Sequence, residues 1–400
     1  MLYQIESFDE LPKPEIGQRI DNLKLIMAEA GLDWALLYEN VNRFYFSATM
    51  QKGILAVPVD GEPLLLIEKG TARAKLESPL AVTKVSGEAE MGKILQGRGI
   101  SHRTVGLELD VLPVALFQRL QRLIGFTQYK DITPLIRQLR MIKSPFELDQ
   151  LKKSGRIITQ VFSKAKEVVL EGISEIEIET LLIAEGRRAG HQGFLRMRGF
   201  NQEMTTITVQ SGRTGTIPTY LDAPITGSGI TPAIPTGSSF AKVQRGIPVT
   251  IDYGGGYNGY ITDETRTYVV GELNDIFKKA YETARAILED VLAFGKEGVD
   301  TTELFQRAYT LVQKAHLEKY FMGHGEGRVS FIGHGLGLEI NEPPVITARH
   351  HTILRAGMVL AYEPKFVLPP HGAVGIEIDF IVRPERLERI TADALDIVHV

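Results

Sequence analysis

The sequence predicts two mixed helix–strand domains, a small α/β domain followed by a larger α+β domain. Its 400 residues exceed what one hydrophobic core usually organises, so two domains are expected. In the first third, helical periodicity alternates with short apolar runs. From Thr205 onward, segments rich in Thr, Val, Ile and Tyr alternate with glycine-rich turns and are interrupted by two helical patterns. Strands beside runs of helices are typical of an α+β domain.

The first domain is predicted over residues 1–139. Apolar residues recur at helical spacing from Ile16 to Met27, and Gly31 is expected to end that helix. A second helical pattern covers residues 112–123. Short apolar runs predict strands at residues 34–38, 54–59, 63–67 and 105–109, with Asp60-Gly61 as a hairpin turn.

The second domain is predicted over residues 140–400. Ser144 can cap a helix and Pro145 suits its first turn, so a helix is expected from there toward Leu170. Further helices are predicted over 275–294 and 302–318. The segment 227–239 is rich in Gly, Pro, Ser and Thr and is interpreted as a long loop over the functional site.

Composition excludes several classes of function. The formal net charge is −4 and no run of Lys and Arg stands out, so nucleic acid and anionic membranes are not expected partners. No stretch is long and apolar enough to cross a bilayer, and residues 1–10 do not resemble a signal peptide. We therefore expect a cytoplasmic protein. The chain has no cysteine, so any metal must be held by His, Asp and Glu.

The segment 249–268 is predicted to form two strands joined by a glycine-rich turn. A hairpin symmetric about Tyr257 and Asn258 would place Asp252 directly opposite Asp263, with Cβ atoms roughly 4.5–5.5 Å apart. Two bare carboxylates there would repel, unless one takes a proton or both bind a cation. Carboxylates at this spacing can bridge two metal ions about 3.5–4 Å apart. Either aspartate alone could instead end a strand or cap a turn.

Three further candidate ligands come from separate segments. His334 lies among glycines, which allow close backbone approach, and Glu363 precedes a proline, which favours an extended backbone. In the predicted strand 375–382, Glu377 points away from the face that carries its apolar neighbours. A charged residue in an apolar strand is rarely buried unless it is paired or binds a metal. Each residue alone has a structural interpretation, but the five together predict a metal centre.

The order Asp-x10-Asp, Gly-His-Gly-Leu-Gly, Glu-Pro and Gly-Ile-Glu resembles the M24 peptidase family, which includes methionine aminopeptidases, Xaa-Pro aminopeptidases, prolidases and the metal-free creatinases. The run Lys143-Ser144-Pro145-Phe146-Glu147 is also similar to the family, and the first third resembles a creatinase-type N-terminal domain. The resemblance implies a pita-bread catalytic fold and a homodimer.

The resemblance also implies two divalent ions per chain, Mn, Co or Zn. Asp252 would bind one ion, His334 and Glu363 would bind the other, and Asp263 and Glu377 would bridge both. The ions would activate the water that attacks the amide. Glu363 is the candidate catalytic residue that passes a proton to the leaving nitrogen.

Two histidines usual in the family's peptidases are missing. No histidine lies between His191 and His316, and Thr236 occupies the approximate upstream position. Asn341 stands at the later position; Asn donates a hydrogen bond but cannot become cationic. Losing one oxyanion donor typically costs about 10²–10³ in rate. His191, Arg196 and Arg198 are candidate substitutes in substrate binding, with a solvated charged loop as the equal alternative.

The predicted function is hydrolysis of an amide bond in short peptides, by an Xaa-Pro aminopeptidase or dipeptidase. One alternative keeps the metals and changes the substrate to a small non-peptide amide, because the two histidines are absent. The other is a non-catalytic binding protein on the same fold. Lys365 stands where a glycine often follows Glu-Pro in the family, and the sequence alone gives no consequence for this change.

Overall fold

The computed structural model describes residues 9–391 and 394–400, and residues 1–8, on which the signal-peptide prediction depends, lie outside the described residues. Contacts divide the chain into two compact units, Met1–Arg140 and Met141–Val400. Among the described residues, no helix combines the length and apolar character needed to span a bilayer.

The first unit is built on a six-stranded mixed sheet. Its helices are α1 Lys13–Glu29, α2 Asn40–Ser47, α3 Thr71–Glu77, α4 Glu88–Gly97, α5 Val114–Ile124 and α6 Thr133–Met141, the last ending at the boundary between the units. Its strands are β1 Trp34–Leu37, β2 Gly53–Pro58, β3 Leu64–Ile67, β4 Val82–Lys84, β5 Thr104–Leu107 and β6 Gln128–Asp131. The strand order is β4-β3-β2-β1-β5-β6.

The apolar runs of this unit form strands, and the predicted Asp60-Gly61 turn joins two of them. β2 and β3 pair antiparallel across it, and Gly61 has a φ of 109°, which glycine tolerates best. The helix predicted from residue 112 begins at Val114, because Pro113 is its N-cap. The short strand β6 was not predicted, since its residues Gln128–Asp131 are polar and exposed.

Among its described residues, the second unit contains four long helices and eleven strands. The helices are α7 Pro145–Val168, α8 Glu175–Arg188, α9 Asp275–Phe294 and α10 Thr301–Lys314. The strands are β7 Ile207–Ser211, β8 Pro248–Tyr257, β9 Tyr260–Val269, β10 Phe331–Gly335, β11 Glu342–Thr347, β12 Val359–Tyr362, β13 Lys365–Leu368, β14 Gly372–Gly375, β15 Ile378–Val382, β16 Leu387–Arg389 and β17 Val398–His399.

Two hydrophobic cores organise this unit. One joins α7 and α8 to the sheet β17-β9-β8-β7, through buried residues such as Ile158, Leu182 and Ile251. The other joins α9 and α10 to the five-stranded sheet β11-β10-β12-β15-β16 and the β13-β14 hairpin, through residues such as Phe277 and Phe380. Each core therefore packs two helices against a sheet whose strands are mostly antiparallel; the exception is β17, which pairs parallel with β9.

The predicted helix start at Pro145 is confirmed. The Ser144 hydroxyl accepts a hydrogen bond from the Glu147 backbone N–H at 3.3 Å, and the Ser144 N–H donates to the Glu147 carboxylate at 3.0 Å. This reciprocal capping box satisfies two backbone donors that would otherwise lack partners. The prediction over 275–294 matches α9, while the helix predicted from residue 302 begins one residue earlier.

The predicted register of the β8–β9 hairpin is wrong. Tyr257 pairs with Tyr260, so the turn is formed by Asn258 and Gly259, with φ of 50° and 89°. A two-residue turn of this kind needs positive φ at both positions, which Asn-Gly accommodates and a bulky tyrosine does not. Asp252 therefore lies opposite Thr265, and Asp263 lies opposite Gly254. Because the shift is two residues, both aspartates still share one face of the sheet.

The Gly254-Gly255-Gly256 run serves close packing. A Cβ on Gly255 would lie 2.4 Å from the Thr262 hydroxyl and 2.8 Å from the Ser154 hydroxyl of α7. On Gly254 it would lie 2.3 Å from a methyl group of Leu195. All three separations are too short for real contacts, so a larger residue at either position would force Leu195, Thr262 or Ser154 to move.

The turn predicts a stability effect at Gly259. Replacing Gly259 with Val should destabilise the second unit by about 1–2 kcal/mol, because a β-branched residue resists positive φ. Gly259→Asn, the matched control, should cost much less, since Asn tolerates that conformation. Urea unfolding of each variant, followed by far-UV circular dichroism, measures the difference in unfolding free energy. Equal losses in both variants would contradict a turn that depends on positive φ.

Candidate metal centre

Five predicted ligands come together where the sheets of the second unit meet. Asp252 lies on β8, Asp263 on β9, His334 on β10, Glu363 between β12 and β13, and Glu377 between β14 and β15. The alternating pattern had predicted Glu377 in the middle of a strand. In the structure Glu377 lies just before β15. Its backbone N–H donates to the Thr265 carbonyl at 3.1 Å, which ties this segment to β9.

His334 presents one ring nitrogen to the carboxylates. Its Nδ1 lies 3.1 Å from the Gly335 carbonyl oxygen, which can only accept, so Nδ1 carries the proton. Nε2 then keeps its lone pair. Oε1 of Glu363 and Oε1 of Glu377 lie 3.8 and 3.9 Å from Nε2. These separations suit donors around one ion, because two ligand atoms at roughly 2.1 Å from a metal can be up to about 4 Å apart.

Asp263, His334 and Glu377 form a group that could hold a metal ion, since one possible ligand atom from each lies within 4.8 Å of the others. Within the described part of the chain, Asp263 Oδ1 and Glu377 Oε1 are buried without a hydrogen-bond partner. Buried carboxylate oxygens are normally satisfied, and a bound cation would satisfy both. The residues on this side of the site therefore fit a divalent metal ion.

The electrostatics show how strongly this cluster needs positive charge. Burial, followed by the neighbouring carboxylates, raises the pKa of Asp263 well above its usual range. Burial raises the pKa of Glu377 to about 8. Asp379 lies behind them, fully buried, and its Oδ2 accepts the Asp263 N–H at 2.8 Å. A bound cation would favour the ionised form of these acids, against the effect of burial.

Lys365 is the residue that sequence reasoning missed. Its ammonium donates to Asp252 Oδ2 at 3.1 Å, Glu363 Oε2 at 2.9 Å and Glu377 Oε2 at 2.7 Å. The side chain is only 3% exposed. Burial works to lower the pKa of this lysine, but the surrounding carboxylates hold it well above its usual range. The available signal was a lysine in place of the glycine after Glu-Pro.

The comparisons with known proteins identify the family of the chain. A profile of Metallopeptidase family M24 matches residues 149–384, more than half of the chain. The chain belongs to metallopeptidase family M24. A profile of the Creatinase/Prolidase N-terminal domain matches residues 19–142. The fold is accordingly the pita-bread catalytic fold preceded by a creatinase-type N-terminal domain.

Relatives of this M24 member span nearly its whole length. It is 28% identical to an Xaa-Pro dipeptidase of Pyrococcus furiosus over 94% of this chain and 97% of the relative. The prolidase structure from Pyrococcus horikoshii OT3 is similar, with a TM-score of 0.80 and 25% identity over 94% of this chain and 99% of that chain. An Xaa-Pro dipeptidase structure from Bacillus anthracis has a TM-score of 0.83 and 25% identity over 96% of this chain and 100% of that chain. The chain is a peptidase, hence a hydrolase, from a metal-dependent family.

His191, a predicted substrate residue, has both ring nitrogens committed to the backbone. Nδ1 accepts the Gly193 N–H at 2.8 Å, and Nε2 lies 3.0 Å from the Gly254 carbonyl oxygen. This pattern requires the neutral imidazole with its proton on Nε2. Burial lowers the pKa of His191, in agreement with that tautomer. The ring supports the β8–β9 hairpin and presents no free nitrogen, which does not favour the predicted substrate role.

Asn341, at the position of the second missing histidine, is likewise held by backbone. Its Oδ1 accepts the Arg198 N–H at 2.9 Å, and its Nδ2 donates to the Arg198 carbonyl at 2.8 Å. The Ile340 N–H donates to the Arg196 carbonyl at 2.8 Å beside it. Asn341 therefore connects the segment that contains Arg196 and Arg198 to the loop that follows β10, the strand of His334.

The other candidate substrate residues lie in different surroundings. Arg198 is buried and lies 3.4 Å from the Glu339 carboxylate, so it is not the solvated charge of the alternative interpretation. Arg196 is half-buried, with its guanidinium 5.4 Å from the centre of the Phe194 ring. Thr236 is half-buried in the loop between β7 and β8. Substrate roles for these three residues stay predictions.

The state of His191 predicts a pH dependence of stability. Because its folded pKa lies below the unfolded value, the unfolded chain takes up the proton first as pH falls through about 6.5. The stabilisation is complete above that pH and is lost below it. Denaturant titrations at pH 8 and pH 5 give the free energy of unfolding at each pH. The decrease from pH 8 to pH 5 should be smaller for His191→Gln than for the unmodified chain. His350→Gln, at an exposed histidine, should keep the original slope; an equal slope in all three would contradict this.

Proposed function

We propose that the chain is a metal-dependent Xaa-Pro dipeptidase or aminopeptidase, which hydrolyses the bond before proline in short peptides. The observation that carries the proposal is the group formed by Asp263, His334 and Glu377, in which two buried carboxylate oxygens have no hydrogen-bond donor among residues 9–391 and 394–400. Support for proline specificity comes from relatives named Xaa-Pro dipeptidase that align over almost the full chain.

A divalent ion held there by Asp263, His334, Glu363 and Glu377 would supply Lewis acidity and a water of lowered pKa. Mn, Co and Zn all suit this set of oxygen ligands and one imidazole. The number of ions, for which the family resemblance implies two with Asp252 as the remaining ligand, is taken up in the next subsection. A homodimer remains part of the proposal on the strength of the family resemblance.

The protein's own groups provide orientation and proton transfer. The Gly335 carbonyl fixes the His334 tautomer, so that Nε2 is always the nitrogen available to a ligand. Thr265 donates its hydroxyl to Glu377 Oε2 at 2.9 Å, which keeps Oε1 directed toward His334. Glu363 is the candidate that passes a proton to the leaving proline nitrogen, because its Oε1 also faces the His334 side.

The substrate prediction is tested with matched dipeptides. The metal-loaded protein should hydrolyse Met-Pro and Leu-Pro, and should hydrolyse Met-Ala and Leu-Ala much more slowly. Chelator treatment should abolish the activity, and Mn, Co or Zn should restore it. Turnover of small amides with no peptide cleaved would favour the non-peptide hydrolase, and no turnover of any amide would leave only the binding protein, which no comparison supports.

The role of Glu363 gives a second prediction. Glu363→Gln keeps an oxygen ligand but removes the proton carrier, so kcat on an Xaa-Pro dipeptide should fall about 10²–10⁴-fold. Glu326→Gln, at an exposed glutamate, is the control and should keep full activity. A Glu363→Gln variant that retains metal and more than a third of the original kcat would remove Glu363 from the reaction.

A further inference from the structure

The metal centre has two positions for positive charge, and its glutamates face both. Glu363 and Glu377 each direct Oε1 toward His334 Nε2, at 3.8 and 3.9 Å. Each directs Oε2 toward Lys365 Nζ, at 2.9 and 2.7 Å. Asp252 Oδ2, 3.1 Å from Nζ, closes the second position. The lysine ammonium therefore lies among the carboxylates where a second bridged cation would be held.

We propose that Lys365 permanently fills one of the two cation positions, so that the chain binds a single divalent ion on the His334 side. The inference rests on the proposed metal-dependent function of the same site. It replaces the expectation of two ions, since the residue set fits one ion together with a built-in ammonium.

The hydrogen bonding of the ammonium is complete. A lysine ammonium has three N–H donors, and three carboxylates accept from Nζ here. A metal ion binds carboxylate oxygens at roughly 2.0–2.2 Å. An ion bound to the same Asp252 and Glu377 oxygens would overlap Nζ and would be repelled by its charge. The second ion and the lysine therefore exclude each other.

The backbone is shaped to admit the lysine stem. Lys365 pairs with Gly375 across the β13–β14 hairpin, and a Cβ on Gly375 would lie 2.6 Å from Lys365 Cγ. The Thr267 hydroxyl donates to the Gly375 carbonyl at 2.9 Å and accepts the Gly375 N–H at 3.1 Å. The Thr267 hydroxyl thus holds both the N–H and the carbonyl of Gly375, and the aliphatic part of the Lys365 side chain packs against this glycine. A larger residue at position 375 would clash with the lysine side chain.

Charge counting shows what the lysine changes. With all four carboxylates of Asp252, Asp263, Glu363 and Glu377 ionised, two divalent ions would balance the site if no ammonium were present. Beside the Lys365 ammonium, one divalent ion leaves one negative charge and two leave one positive charge. The assignment of a single ion therefore rests on the three carboxylate contacts of Nζ.

Lys365 acts as a positioning residue. Its three donors hold Asp252 and the Oε2 atoms of both glutamates, so no donor remains for a substrate. By fixing those oxygens, it leaves both Oε1 atoms directed toward His334. Its influence on hydrolysis therefore passes through the ligands of the single ion.

Metal content is the direct test. The full chain, Lys365→Ala and Lys365→Arg are each dialysed against Mn, and the ions per chain are measured by mass spectrometry. We expect one ion in the unmodified chain, two in Lys365→Ala, where both charge and stem are removed, and one in Lys365→Arg, where a cation remains. Electron paramagnetic resonance should show an isolated Mn signal in the first and a spin-coupled pair in Lys365→Ala.

Lys143→Ala is the matched control, because Lys143 is also a buried lysine but contacts a single carboxylate, Glu342, at 3.1 Å. It should bind one ion. Circular dichroism of the metal-loaded proteins checks that each variant is folded, and Lys365→Met serves in place of Lys365→Ala if the latter does not fold. Two ions in the unmodified chain, or one ion in every folded Lys365 variant, would overturn the proposal.

The result separates this inference from the proposed function. One ion in the unmodified chain and two in Lys365→Ala support the inference even if no Xaa-Pro peptide is cleaved. Two ions with efficient peptide cleavage would remove the role of Lys365 and keep the peptidase. No ion in any variant would overturn both.

Discussion

The constraint on which the second unit depends is the convergence of four carboxylates in a largely buried site. Asp263, Glu363 and Glu377 are each at most 5% exposed, and such a group of anions is stable only with positive charge among them. The chain supplies one charge itself through Lys365. Among the described residues, Asp263 Oδ1 and Glu377 Oε1 have no hydrogen-bond partner, and this is where we propose that a metal ion adds the next charge. The ligand geometry, the lysine and the requirement for metal thus have one physical cause.

The scaffold delivers these groups through backbone pairing. The Asn258-Gly259 turn sets the β8–β9 register, which keeps both aspartates on one face although they are not directly opposite. Hydrogen bonds from the Glu363 N–H to the Ile332 carbonyl and from the Glu377 N–H to the Thr265 carbonyl join the remaining ligands to neighbouring strands. Each candidate ligand therefore lies within a strand or in a short connection between two strands, so the paired strands fix its position.

The sequence predicted much of this because metal ligands leave strong local patterns. The five candidate ligands, predicted from four separate segments, come together in the structure, and the start of α7 was predicted from its capping residue Ser144. The predicted hairpin register is wrong because a turn centred on Tyr257 and Asn258 would place a bulky tyrosine at positive φ, whereas Asn258 and Gly259 both accommodate that conformation. Lys365 and Asn341 could not be interpreted, because the meaning of each depends on a partner far along the chain. Lys365 donates a hydrogen bond to the Asp252 carboxylate, and Asn341 accepts one from the Arg198 backbone N–H.

An ammonium and a metal ion differ in what they offer to a substrate. Both compensate negative charge, but only an ion has coordination positions that a water or carbonyl oxygen can enter. The three N–H groups of Lys365 all donate to carboxylates. The ammonium therefore compensates negative charge at its position but has no donor left for a substrate. Substrate chemistry is thereby confined to the side of His334. The lysine stabilises the acid cluster before any metal arrives, since it is part of the chain and cannot dissociate.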